Sequence, residues 1–167
     1  MLILGSGSVA RKKLLSSVGL TPDRVVPPLV DESLKPNENP QIYVKRIASK
    51  KADAISCEKN SYLITADTIV TAGKRLLIKT SDEKKAWEYL KLLAGRRHVV
   101  FTAFCVKHND IVSLSLVKTV LKMKLLNNVE ISSYIKSNEW IGCAGAYSIQ
   151  GRAKCFFPFI SGCYSNV

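Results

Sequence analysis

Two histidines in 167 residues, 8% aromatics and no CxxC pair leave several chemistries without material. The five cysteines, Cys57, Cys105, Cys143, Cys155 and Cys163, are odd in number, and His98 and His108 lie far from them in sequence. Zinc spacing and a disulfide framework are both missing, so a reducing cytoplasm is the expected setting. Long hydrophobic runs are missing too: no apolar stretch approaches the roughly 20 residues that cross a bilayer. The apolar start is short and precedes the positive charge, the reverse of a secretory leader, and no membrane partner is expected. Acidic residues are scarce, with 13 Asp+Glu against 25 Lys+Arg and a net charge of +12. Such a field favours polyanions: phosphorylated small molecules, nucleic acid or an anionic membrane. The basic residues are scattered, however, and the few aromatics lie mostly in apolar stretches, poor material for base stacking. Nucleic acid is therefore not the expected partner.

What is present points to a folded α/β chain. Hydrophobic content of 47% excludes disorder, and the length suits one domain with a substantial core. Residues 1–4 read as a buried strand, Gly5-Ser6-Gly7-Ser8 as a small-residue loop, and Arg11-Lys12-Lys13-Leu14-Leu15 as the start of a helix capped by Ser8 and ended by Gly19. Free N–H groups at a helix start attract anions, and the glycines allow close approach of a ligand. Taken alone, these residues favour an ordinary strand–turn–helix with a serine cap over a phosphate cradle. Asn39-Pro40 opens a helix over residues 40–55, with Val44, Ile47, Ala48 and Ile55 on one face. Residues 62–70 have strand composition, and a turn at 71–74 leads to a short strand at 76–78. Thr80-Ser81-Asp82-Glu83 has the pattern of a capping box opening a helix that buries Ala86, Trp87, Leu90, Leu93 and Ala94 and stops near Gly95. Residues 98–107 and 111–125 read as long strands, the second burying Leu121, Met123 and Leu125. A short helix capped at 127–130 and a last strand at 156–160 complete a set with long hairpins rather than regular βαβ alternation.

Several polar residues interrupt this pattern. Asp67 sits inside the apolar run 63–70, where a carboxylate must be paired, metal-bound or exposed. Asp31-Glu32 has the look of turn chemistry, Lys51 suits a helix C-terminus, and Lys79 reads as a solvated loop lysine. Arg96-Arg97-His98 fits an anion clamp or a basic surface loop. The Gly-framed stretch 144–151 fits close approach to a ligand or a tightly packed turn.

Taken in order, these residues resemble the Maf family of nucleoside triphosphate pyrophosphatases, historically linked to septum formation, over nearly the whole chain. Ser6-Gly7-Ser8 with Arg11 and Leu14-Leu15 is similar to the family's opening SxSxRR…LL block, and Val30-Asp31-Glu32 to its acidic pair. Arg46-Ile47-Ala48-Ser49-Lys50-Lys51-Ala52 matches RLAxxKA, and Ala66-Asp67-Thr68-Ile69-Val70 matches ADTVV. Lys79 stands at the lysine of GKP, Gly95-Arg96-Arg97-His98 at SGRxH. Ala144-Gly145-Ala146-Tyr147 with Ile149-Gln150-Gly151 matches AGxYxIQG, the most specific block.

The resemblance implies an α/β fold of two lobes about a long bent mixed sheet, with one domain over residues 1–167 that stops short of the family's VxGLP segment and last helix. The implied reaction is hydrolysis of a nucleoside triphosphate, dTTP or UTP, between the α and β phosphates, with a divalent cation, Mg²⁺ or Mn²⁺, as cofactor. Asp67 is then the acceptor of the attacking water's proton and lies close to the metal. Glu32 is the metal-side carboxylate. Ser6, Ser8, Arg11, Lys51 and Lys79 bind the triphosphate, and Thr68 and Gln150 line the site, Gln150 at the base edge. Lys51 and Lys79 are expected to be removable with little effect on the fold. Three departures stand out: Val9-Ala10 replaces Pro-Arg, Ile78 and Thr80 flank the lysine in place of Gly and Pro, and Cys143 replaces the Lys of KAG, as in a branch acting on 7-methyl-GTP. That branch and a non-catalytic nucleotide or nucleic-acid binder on the same fold are the alternatives. A homodimer stays open.

Overall fold

Alternating apolar and β-branched residues build one seven-stranded sheet in the computed structural model, which describes residues 1–167. The elements in chain order are β1 (Leu2–Gly5), α1 (Val9–Ser17), β2 (Arg24–Val25), α2 (Pro40–Asp53), β3 (Tyr62–Ala72) and β4 (Arg75–Leu77). They are followed by α3 (Glu83–Leu93), β5 (Arg97–His108), β6 (Ile111–Lys122), α4 (Asn128–Ile135) and β7 (Phe159–Ser161). The strand order is β2-β1-β3-β5-β6-β7, with β4 also on β3. β1 runs parallel to β2 and to β3, with Leu2 opposite Tyr62 and Gly5 opposite Thr65. A parallel pair needs a long crossover, and α2 lies within it. β4 on β3 and β7 on β6 are antiparallel. The mixed α/β class expected from the sequence is therefore the observed one.

The chain divides into two compact units, residues 1–67 with 102–116 and residues 68–101 with 117–167. In the first, Ile3, Leu4, Val44, Ile47, Ala48 and Leu63 are buried. α2 starts where Asn39 accepts a hydrogen bond from the Gln41 amide at 2.9 Å and Pro40 fills the first turn. At the end of β1 a Cβ on Gly5 would come within 2.5 Å of Thr65 Cγ2 and 2.8 Å of Ile55 Cδ1. Packing alone thus accounts for this glycine. α1 is capped by Ser8, whose hydroxyl accepts from the Arg11 amide, and Gly19 past its end has φ +78°. α1 itself buries no residue.

The second unit packs α3 and α4 around Val70, Leu90, Leu93, Leu121, Met123 and Ile131. Four local expectations change here. The cap of α3 is Asp82, whose carboxylate accepts from the Lys84 and Lys85 amides, and no box runs from Thr80 to Glu83. Thr80 instead accepts from the Asp82 amide at 3.0 Å, in the turn just ahead of the helix. On α3 it is Tyr89 that is buried, whereas Trp87 is half-buried. β6 ends at Lys122, and Leu125 is 81% exposed, since alternation fails once the chain leaves the strand. The last strand is Phe159–Ser161, with a 3₁₀ turn over Arg152–Phe156 before it. The reciprocal capping box appears on α4, between Asn127 and Glu130.

Candidate active site

β3 is buried on both faces through its middle, so any charge there needs a partner. Asp67 is 2% exposed and meets Lys51 of α2, its Oδ1 accepting from Lys51 Nζ at 2.8 Å. The pairing follows from packing: Thr65, on the same face of β3 two residues earlier, donates its hydroxyl to the Ala48 carbonyl at 2.7 Å. That bond lays α2 along β3 and brings Lys51 over Asp67. The same ammonium reaches Glu32 Oε1 at 2.7 Å. One lysine thus joins a strand carboxylate to a carboxylate from the irregular segment before α2. Lys51 is itself 5% exposed, so the lysine expected to be removable with little effect on the fold is a buried bridge, and its loss bears on folding.

Arg11 completes this cluster. Its Nη1 donates to the Ala66 carbonyl at 2.8 Å and to Ser6 Oγ at 3.0 Å, placing the guanidinium beside the residue that precedes Asp67. Burial lowers the Arg11 pKa, while Asp67 and Glu32 act to raise it. Ser6 Oγ also accepts from the Ser8 amide at 3.2 Å. The small-residue loop thereby folds back on its own helix start. Tyr43 of α2 donates its hydroxyl to the Glu32 carbonyl at 2.9 Å, and its pKa is raised to about 12, first by burial and then by Asp67 and Glu32.

A divalent cation fits this donor set. Glu32 and Asp67 converge on one ammonium, so two carboxylates already favour positive charge at a single point. Carboxylate oxygens are what Mg²⁺ or Mn²⁺ takes, its other positions going to water and phosphate. No group of three or more His, Cys, Asp or Glu that could hold a metal ion assembles.

The structure brings together Ser6, Ser8, Arg11, Glu32, Lys51 and Asp67 within the first unit. Thr68, Lys79 and Gln150 belong to the second. Thr68 follows Asp67 in β3, and strand alternation sends its side chain to the opposite face. Lys79 is exposed just after β4, and its charge lowers the Cys143 thiol pKa against a larger upward effect of burial. Gln150 is exposed, its Nε2 donating to the Val167 carbonyl and its Oε1 accepting from Ser148 at 3.2 Å. His98 is no part of an anion clamp. It is 2% exposed, pairs Nε2 with the Tyr147 hydroxyl at 2.8 Å, and burial pushes its pKa down to about 4. Gly145 has φ +70°, and a Cβ there would meet Val70 Cγ2 at 3.0 Å, which favours the packed-turn reading of residues 144–151. The contacts of Tyr43, Lys50 and the Arg46–Glu38 pair with the Glu32 segment went unread in the sequence. Tyr43 and Arg46 do stand on one helical stripe, but nothing local shows what that stripe meets.

Known proteins are similar to this chain over nearly its whole length. Residues 1–167 match the family model described as Maf-like protein. The dTTP/UTP pyrophosphatase of Cereibacter sphaeroides is 42% identical over 166 residues, covering 99% of this chain and 86% of that protein. The dTTP/UTP pyrophosphatase of Roseobacter denitrificans is 43% identical over 167 residues, covering 100% and 89%. The nucleoside triphosphate pyrophosphatase of Anaplasma phagocytophilum is 39% identical over 168 residues, covering 99% and 87%.

Proposed function

This chain belongs to the Maf family, and from that premise we propose that it is a nucleoside triphosphate pyrophosphatase acting on dTTP and UTP. It hydrolyses the bond between the α and β phosphates and releases the monophosphate and pyrophosphate. The observation that carries this reading is the buried Lys51 bridge between Asp67 and Glu32 with Arg11 alongside, a balanced set of two cations and two carboxylates. Relatives of 42% and 43% identity bear the dTTP/UTP name, which favours that specificity over 7-methyl-GTP despite Cys143.

Within this proposal Asp67 accepts the proton of the attacking water, a role suited to a carboxylate held still by one hydrogen bond with a second oxygen to offer. Lys51 fixes the orientation of Asp67 and sets its charge against phosphate oxygens. Arg11 sets its charge toward the triphosphate, and Ser6 and Ser8 shape the backbone that meets it. Glu32 and Asp67 would hold the divalent cation, which neutralises charge on the phosphate oxygens when bound. Lys79, Thr68 and Gln150 keep their proposed roles toward the leaving pyrophosphate and the base. The whole chain is proposed to act as one pyrophosphatase domain. No helix is long and apolar enough to cross a membrane, and five free cysteines suit the cytoplasm proposed for it. The experiment is a panel of dTTP, UTP, GTP and 7-methyl-GTP with Mg²⁺ or Mn²⁺, scored for monophosphate and pyrophosphate. The expected result is pyrophosphate release led by dTTP and UTP. Nucleotide binding without release would make the chain a binder, and a lead by 7-methyl-GTP would overturn the pyrimidine assignment.

A further inference from the structure

We propose that Tyr43, Arg46 and Lys50 of α2 are positioning residues that present Glu32 to the divalent cation by holding three successive backbone carbonyls around it. The inference rests on the reading of Glu32 as a cation ligand. Residues 26–39 form no helix or strand and include no buried residue. Leu29 is 98% exposed and Leu34 43%, so apolar packing does not fix the segment. A chain of that kind would hold a carboxylate loosely, whereas a ligand has to be kept within about 0.5 Å of its working place.

The polar face of α2 supplies what packing does not. Lys50 Nζ donates to the Asp31 carbonyl at 2.9 Å, the Tyr43 hydroxyl to the Glu32 carbonyl at 2.9 Å, and Arg46 Nη2 to the Ser33 carbonyl at 3.0 Å. Residues 43, 46 and 50 stand at i, i+3 and i+7, one stripe of the helix. Three neighbouring donors therefore read three neighbouring acceptors, with Glu32 at the centre. Arg46 is anchored in turn by a two-bond fork to Glu38, Nε to Oε1 and Nη2 to Oε2, both at 2.6 Å. That fork holds the Glu38 carboxyl down to about 2, and Glu38 also accepts from the Lys35 amide at 3.2 Å, closing the segment from 31 to 38. The Arg46 guanidinium lies over the Tyr43 ring at 5.5 Å, so the two donors brace each other. With its backbone fixed from one side, Glu32 is left to aim its carboxylate at the Lys51 ammonium.

The test is Mn²⁺ binding, read by electron paramagnetic resonance on the full chain with a non-hydrolysable α,β-methylene analogue of dUTP. Arg46→Lys keeps the charge and removes the planar fork. Tyr43→Phe removes one hydroxyl and keeps the ring, which guards against a variant that fails to fold. Groups that support a metal ligand typically cost 10–100-fold in metal affinity when lost. Arg46→Lys is expected to raise the Mn²⁺ Kd about 10-fold or more and Tyr43→Phe a smaller but clear amount. The half-saturating metal concentration for turnover should rise in parallel, while kcat and the KM for dTTP at saturating metal stay near the parent. Variants that bind Mn²⁺ as the parent does overturn the positioning role, as does a fall in kcat at unchanged metal affinity. A parent that releases pyrophosphate yet binds no Mn²⁺ with the analogue overturns Glu32 as a cation ligand and this inference with it, leaving the pyrophosphatase reading intact.

Discussion

A carboxylate in a strand covered on both faces must be matched or neutral, and Asp67 is matched by an ammonium that is nearly as deeply buried. This makes the two residues separable by experiment. Asp67→Asn keeps an oxygen for Lys51 and removes the proton acceptor. Its kcat for dTTP should fall by about 10²–10⁴-fold, with analogue binding retained. Turnover near the parental rate would take Asp67 out of the chemistry. Lys51→Ala is a different lesion, since it leaves Asp67 and Glu32 facing each other without the charge between them. Breaking one side of a buried pair costs roughly 3–5 kcal/mol, so the urea midpoint should drop with unchanged slope as activity is lost. A variant as stable as the parent would show that the bridge is dispensable to the fold.

Among the elements, α2 does most to assemble the site, because the stripe of Val44, Ile47, Ala48 and Lys51 enters the core and carries the ammonium to both carboxylates, while Tyr43, Arg46 and Lys50 hold the loop. The caps show how far local signals reach. Asn39 and Pro40 were legible as a helix start, and the hydrogen bond to Gln41 bears that out. At the start of α3, Thr80, Ser81 and Asp82 are all competent caps, and only the geometry of the β4–α3 link selects Asp82, two residues past the start the pattern predicts. Asp82→Ala should accordingly lower stability by about 1 kcal/mol in urea unfolding, whereas Glu83→Gln should change it by no more than a few tenths. An Asp82→Ala variant as stable as the parent would return the cap to Thr80.

At the scale of the molecule, the positive excess falls mainly in residues 68–101 and 117–167, where only Asp82, Glu83, Glu88, Glu130 and Glu139 are acidic. The same unit holds an acid-sensitive group, His98, buried between Tyr147 and Phe157. Its pKa is lowered from 6.5 to about 4, chiefly by burial. The unfolded chain therefore takes up this proton first as the pH falls. Stability is full above about pH 6.5, declines below it and is lost through about pH 4, by up to roughly 3 kcal/mol. Glu38, held down to about 2 by Arg46, acts in the same direction at still lower pH. Urea midpoints measured at pH 7 and pH 4.5 should differ in the parent and converge in His98→Gln, whose amide can still meet the Tyr147 hydroxyl. An unchanged difference in the variant would place the acid sensitivity elsewhere.

The order of residues along the chain determined the family, the mixed α/β class, most helix and strand positions, and the identity of the charged residues that matter. Those follow from short-range rules: apolar periodicity, capping side chains, and the cost of a carboxylate in an apolar run. Only the tertiary structure decided what each charge meets. Lys51 is sixteen residues or more from both of its partners in sequence, and its burial as a bridge goes with the Thr65–Ala48 bond between β3 and α2. The loop that bears Glu32 has no pattern of its own, so its shape comes from donors on a helix that follows it. Burial likewise decided His98, whose neighbours Arg96 and Arg97 suggested an anion site and whose actual partners are aromatic. Local sequence fixes what a side chain can do, while the long-range packing that sets its solvation and its partners fixes which of those things it does.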